Sequence, residues 1–248
     1  MDFEACKYRA KLKYVDRVAE PERPLPAGKT EHANDRGTRI HEAAELFVKG
    51  GVELVKELAH FREDFEELRR LHAEGRVSLE GEWAVDRDWA PVAWNSSTAW
   101  NRMKLDAFVQ TSETSGRVID YKTGRRFGNE VKHTEQGQVY QLATFLRYPS
   151  LEVLTVEFWY TDQNEKDVKS YTRAQGMAYF DKYDSRFSKV TGCTEFTPNP
   201  NMFTCKWCAY KGGVCEYGIE SGPSIPKKDT ATARLKELRK LNITGRPG

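Results

Sequence analysis

The 248-residue sequence contains no apolar run near the roughly 18 residues that a membrane-crossing helix needs, which excludes a helical membrane protein. It has little charge excess: a formal net charge of +2 is far from the strongly basic balance of proteins that coat nucleic acid, so local patches must decide about phosphate-bearing partners. Cysteine is scarce and odd in number, five in all, which argues against a disulfide framework. The first residues, Met1-Asp2-Phe3-Glu4, are acidic where a signal peptide is basic, and no apolar stretch follows. The chain is therefore expected in the cytoplasm. A nucleotide-binding loop is also missing: Gly28-Lys29-Thr30 has Arg23 where the first glycine belongs and proline-rich sequence where a strand should precede it.

What is present is the composition of a globular domain, 39% hydrophobic and 31% charged. Pro21, Pro24 and Pro26 each fix φ and lack a donor, so residues 21–26 read as a connector. Ile40, Ala43, Ala44 and Phe47 recur at helical spacing between Asn34 and Val48, and Gly50-Gly51 stops that helix. A second helix is predicted over Glu53–Ala73. Strict alternation predicts a strand over Val77–Val85, with Val77, Leu79, Gly81, Trp83 and Val85 on one face. A second strand is predicted over Met103–Val109, with Met103, Leu105, Ala107 and Val109 sharing a face, and a third over Val118–Lys122. A helix over Thr134–Leu146, strands over Val153–Tyr160 and Val168–Thr172, and a helix over Gln175–Phe187 complete a mixed α/β order. The domain is expected to run through residue 221, followed by a basic tail over 222–248 with a short helix from Thr232 to Leu241.

Side chains repeat every two residues along a strand, so Asp120 and Lys122 project from one face. If the neighbouring strand adds Asp106, two carboxylates and an ammonium converge, which suits a hard divalent cation with the lysine left to handle a water or a phosphate oxygen. Taken alone, Asp120-Tyr121-Lys122 reads better as a solvent-facing strand with one weak ion pair, since surface Asp and Lys are common. Its company changes that. His41 lies on a helix upstream, neutral imidazole being a good borderline ligand, and Gln138 and Gln141 lie one turn apart on the helix downstream. Glu82 is a further possible ligand or supporting group. Arg36, Arg39, Arg102, Lys104, Arg125, Arg126 and Lys132, interleaved with Trp94, Trp100 and Phe127, have the composition of a surface that grips phosphates and stacks unpaired bases.

Cys205-Lys206-Trp207-Cys208, with Cys215 shortly after, is a metal signal, because thiolates two residues apart can chelate one centre across a tight turn. The fourth ligand is Cys6 or Cys193, and the centre zinc or an iron-sulfur cluster; spacing does not choose between them.

Through Gly37-Thr38-Arg39-Ile40-His41-Glu42, Met103-Lys104-Leu105-Asp106, Val118-Ile119-Asp120-Tyr121-Lys122-Thr123-Gly124 and Gln141-Leu142-Ala143-Thr144-Phe145, residues 1–217 resemble the RecB-type branch of the PD-(D/E)XK nucleases. The resemblance implies a nuclease core of central mixed sheet flanked by helices. It implies that His41, Asp106 and Asp120, with the Tyr121 carbonyl, hold magnesium or manganese, that Lys122 positions or activates the attacking water, and that Gln141 contacts DNA or orders the site. Relatives often carry a tyrosine four residues after the glutamine, where this chain has Phe145; Tyr140 is the substitute at hand. AddB-type and CRISPR-adaptation exonucleases carry one cysteine in a basic, aromatic N-terminal context and three near the C-terminus on a [4Fe-4S] cluster, and Cys6 with Cys205, Cys208 and Cys215 fits that arrangement, Cys193 being spare. The cluster would join both chain ends, residues 1–20 and 190–221. Implied in turn are cleavage of DNA at single-stranded ends in recombination, repair or phage DNA processing, and a recombination or helicase partner. The alternatives from other classes are a non-catalytic nucleic-acid-binding scaffold and a zinc adaptor.

Overall fold

A computed structural model describes residues 2–22, 24–124 and 126–219, and the tail helix expected at Thr232–Leu241 lies outside them. The elements run in chain order as α1 (Asp2–Ala5), α2 (Lys7–Ala10), α3 (Ala33–Val48), α4 (Arg62–Ala73), β1 (Val77–Val85), β2 (Pro91–Val92), β3 (Asn101–Gln110), β4 (Ser115–Lys122), α5 (Glu130–Arg147), β5 (Val153–Tyr160), β6 (Glu165–Thr172), α6 (Arg173–Met177), α7 (Phe180–Thr191) and α8 (Met202–Lys206). Two compact units divide the chain, residues 25–189 and residues 1–24 with 190 onward.

The larger unit is a six-stranded mixed sheet in the order β2-β1-β3-β4-β5-β6. Only β4 and β5 run parallel, which they can do because α5 carries the chain back between them. On one face Ile40, Ala44 and Phe47 of α3 and Phe65, Leu68 and Leu71 of α4 bury against Ala107, Ile119, Tyr121 and Trp159. On the other, Tyr140, Ala143 and Phe145 of α5 bury against Phe108, Val118, Leu154 and Val156. Each such aromatic or aliphatic side chain stabilises the fold by roughly 1.5–3 kcal/mol, so both helical layers are held by burial rather than by helix propensity.

Several expectations need correcting. The helix expected over Glu53–Ala73 is a 3-10 turn, Lys56–Phe61, followed by α4. The helix expected over Gln175–Phe187 is two, α6 and α7. Thr172 caps the first reciprocally with Gln175, and Gly176 packs so tightly that a Cβ there would lie 2.5 Å from Phe145. The shared faces expected for β1 and β3 also fail. Val77, Leu79, Ala107 and Val109 pack toward α3 and α4, whereas Trp83, Met103 and Leu105 pack toward α5. Both strands change face at one level, Glu80 opposite Asp106, where the ladder skips a pair and Glu80 has a left-handed φ of 44°.

In the smaller unit the backbone carbonyl of Ala5 accepts from Asn199 and Thr204, and that of Val18 from the Tyr210 hydroxyl. Tyr8 meets Tyr217 edge-on at 5.1 Å. Segments 180 residues or more apart in sequence are thereby tied into one body.

Candidate active site

The β3–β4 ladder ends at Ala107 opposite Ile119, three residues before β4 itself does. Beyond that point the strands part, and the Asp106 carboxylate takes the place of a backbone acceptor: its Oδ2 accepts the Tyr121 N–H at 2.6 Å. Asp106 Oδ1 lies 2.9 Å from His41 Nδ1, which α3 brings down from above the sheet. α3 can come this close because residue 37 is glycine; a Cβ there would press on the Thr123 hydroxyl at 3.3 Å. Glu80 completes the group, and ligand atoms of His41, Glu80 and Asp106 all lie within 4.8 Å of one another. They line a cleft of about 530 Å³ with Gly37, Glu42 and Lys104.

Asp120 and Lys122 form an adjoining cluster. Lys122 Nζ lies 2.5 Å from Asp120 Oδ2 and donates to Gln136 Oε1 at 2.8 Å. Asp120 Oδ1 accepts from Gln136 Nε2 at 2.9 Å and from the Tyr140 hydroxyl at 2.6 Å. Asp120 therefore sits beside, and not within, the three-residue group. Gln141 is placed elsewhere: it is buried, and its Oε1 finds no hydrogen-bond partner among the described residues. Gln138 turns away to Lys182 and Tyr183. The glutamine at the lysine is Gln136, with Tyr140 four residues later, the spacing that the resemblance attaches to this helix. That spacing was available in the sequence as the signal for the pair.

Electrostatics separates the two clusters. Burial first, then the charge of Asp120, raises the Asp106 carboxyl above its ordinary range. Glu80 is raised by burial and then by Asp106. For His41 burial is the largest influence and acts downward, but the hydrogen bond and charge of Asp106 outweigh it and the imidazole is held above its usual value. Buried carboxylates this close together disfavour their own ionisation, and a cation among them removes that cost. Tyr140 is pushed well above its usual value by burial and then by Asp120, so its hydroxyl remains a proton donor.

Glu82 is not part of the cleft group; it faces outward and pairs with Lys104 at 3.0 Å. The residue that alternation concealed is Glu80, whose left-handed backbone, a conformation that costs on the order of 1–3 kcal/mol, brings it to Asp106 and His41. Glu80→Gln is expected to weaken manganese binding about tenfold or more and Glu82→Gln by no more than about threefold, as read by titration calorimetry. Equal effects would remove Glu80 from the site.

The expected phosphate grip is largely occupied. Arg36 pairs with Asp162, and Arg39 with Glu31 and Glu57. Trp100 packs against Trp89 and Phe187. Trp94, flanked by Arg102 and Lys104, and Phe127, 89% exposed, remain accessible. Arg125 lies outside the described residues.

Cys6, Cys205, Cys208 and Cys215 line one small hollow in the smaller unit. Cys193 does not; its thiol donates to the Glu195 carbonyl at 3.1 Å. Burial first, then the three other thiols of the hollow, holds the Cys215 thiol above its usual value.

A mixed sheet whose central strands separate around clustered carboxylates, with an imidazole on one side and a lysine on the other, is the architecture of a metal-dependent nuclease. Residues 1–216 match the family model of the PD-(D/E)XK nuclease superfamily, and the chain belongs to that superfamily. Among solved structures, the crystal structure of SSO0001 is similar at 15% identity, covering 87% of this chain and 83% of its own, with a TM-score of 0.44. No curated protein matches the chain. Among the described residues no helix is long and apolar enough to cross a membrane.

Proposed function

We propose that this chain is a magnesium- or manganese-dependent deoxyribonuclease that degrades DNA from single-stranded ends, in the cytoplasm, during recombination, repair or phage DNA processing. The observation that carries the reading is the His41–Glu80–Asp106 group, within 4.8 Å, beside the Lys122–Asp120–Gln136 network. Two carboxylates and an imidazole are a donor set that a hard or borderline divalent ion accepts. Asp120 and the Tyr121 carbonyl would add to it: a strand residue's N–H and C=O leave by the same edge, and the Tyr121 N–H already meets Asp106. When bound, the ion would supply Lewis acidity at the phosphoryl group. Lys122 holds the attacking water or a phosphate oxygen, Gln136 fixes the lysine, and the Tyr140 hydroxyl fixes Asp120. Linear and circular single-stranded DNA, incubated with manganese or with a chelator, test the reading. Cleavage of the linear form alone, and only with metal, is expected; cutting in chelator or of circles at equal rate would overturn it.

The four thiols of the smaller unit are proposed to hold a [4Fe-4S] cluster that joins both chain ends. The support for one shared centre is that Cys6, Cys205, Cys208 and Cys215 line the same hollow while Cys193 does not, as the resemblance to iron-sulfur nucleases implies. Cys6→Ser should lose iron and the broad absorbance of the cluster and should aggregate, while Cys193→Ser keeps both iron and solubility. About one zinc and no iron per chain would refute the cluster.

A further inference from the structure

Beyond Lys122 the same sheet face continues across β5 to the edge strand β6, under the first turns of α5. In register across β4, β5 and β6 stand Asp120, Phe158 and Asp167, and one row further Lys122, Tyr160 and Glu165. Between the first turns of α5 and the edge strand β6 lies a hollow of about 140 Å³, walled by His133, Phe158, Tyr160 and Tyr171 and rimmed by Arg126 and Lys169. His133 stacks on Phe158 at 5.7 Å and lies 2.8 Å from the Tyr160 hydroxyl, so the inner wall is rigid. The Phe158 ring is shared with the active site: Lys122 Nζ lies 5.4 Å from its centroid. The two rim cations make only loose, exposed pairs, Arg126 with Glu165 and Asp167 at 3.5 Å each and Lys169 with Asp167 at 3.2 Å, and such pairs yield readily to a phosphate.

We propose that this hollow receives the unpaired base of the nucleotide adjoining the phosphate that is cut. The inference rests on the nuclease reading and deepens it. Aromatic walls supply stacking, which every base accepts; the Asp167 carboxylate at the rim can accept a hydrogen bond from a base N–H; and Arg126 and Lys169 face the backbone that leads the base in. A base in a duplex must first leave its stack and its pair, which costs free energy, so the hollow favours single-stranded DNA.

The test compares linear single strands carrying one abasic residue at successive positions from the end. In the wild-type protein one position, adjoining the cut, is expected to lower kcat/KM about tenfold. Tyr171→Ala, which removes a wall, and Thr134→Phe, which fills the hollow, should each lower kcat/KM on intact DNA by about tenfold and abolish the abasic difference. A second readout is independent of cleavage: 2-aminopurine at that position, bound in chelator, is quenched by the wild type and not by Thr134→Phe. Cleavage by the wild type that ignores every abasic position overturns the base site and leaves the nuclease standing. Absence of cleavage overturns the nuclease, while the quenching still decides whether the hollow takes a base.

Discussion

Asp106→Asn is expected to abolish cleavage, by on the order of 10³-fold or more, while making the metal-free protein more heat-resistant. Asparagine keeps the shape and can still accept the Tyr121 N–H. What it removes is a carboxylate held above its ordinary pKa by burial and by Asp120. A raised folded-state pKa means that the stabilising form is the protonated one: its contribution is present at low pH and is lost as pH rises through that value. Without metal, ionising this group in the fold is therefore a net cost as pH rises, and its neutral isostere relieves that cost. For a protein of this size each kcal/mol relieved raises Tm by about 2–4 °C. Thermal melts in chelator check the gain, and calorimetry checks the loss of manganese binding. Unchanged manganese affinity would sink the assignment.

Lys122→Ala should lower kcat by about 10³-fold with DNA affinity within a few-fold, because one ammonium beside the reacting phosphate is a small part of the phosphate contacts but all of the contact to the water. Gln136→Ala, which frees the lysine without removing it, should cost about 10- to 100-fold, and Gln141→Leu little. Single-turnover assays separate these from binding. A Lys122→Ala protein that still cuts at the wild-type rate ends the mechanism.

Much of this was legible from the chain. The extent of Val77–Val85 was read correctly although its face was not, and Val153–Tyr160 runs as its apolar content predicts, because it is paired over its length on both edges and buried along most of it. The start of β6 was not, since an edge strand exposed along most of its length has no alternation to read and is held by pairing with β5. Asp120 and Lys122 on one face followed from strand geometry alone. Glu80 did not, because period-two reasoning assumes an extended backbone throughout, and one left-handed residue defeats it. Gln136 was obscured by Gln141, five residues on and about 140° around the helix, a difference that similarity of motif does not measure but contact with Lys122 does.

The crossover through α5 also governs when the enzyme can act. During synthesis β4 leaves the ribosome carrying Asp120 and Lys122, yet Gln136 and Tyr140 follow only with α5, and β5, the parallel neighbour that fixes β4 in register, later still. In a nascent chain shorter than about Tyr160, β1, β3 and β4 have their antiparallel partners, but the Asp120–Lys122 stretch of β4 still lacks the strand it pairs with. The complete site is therefore expected to assemble only once most of the larger unit has been translated.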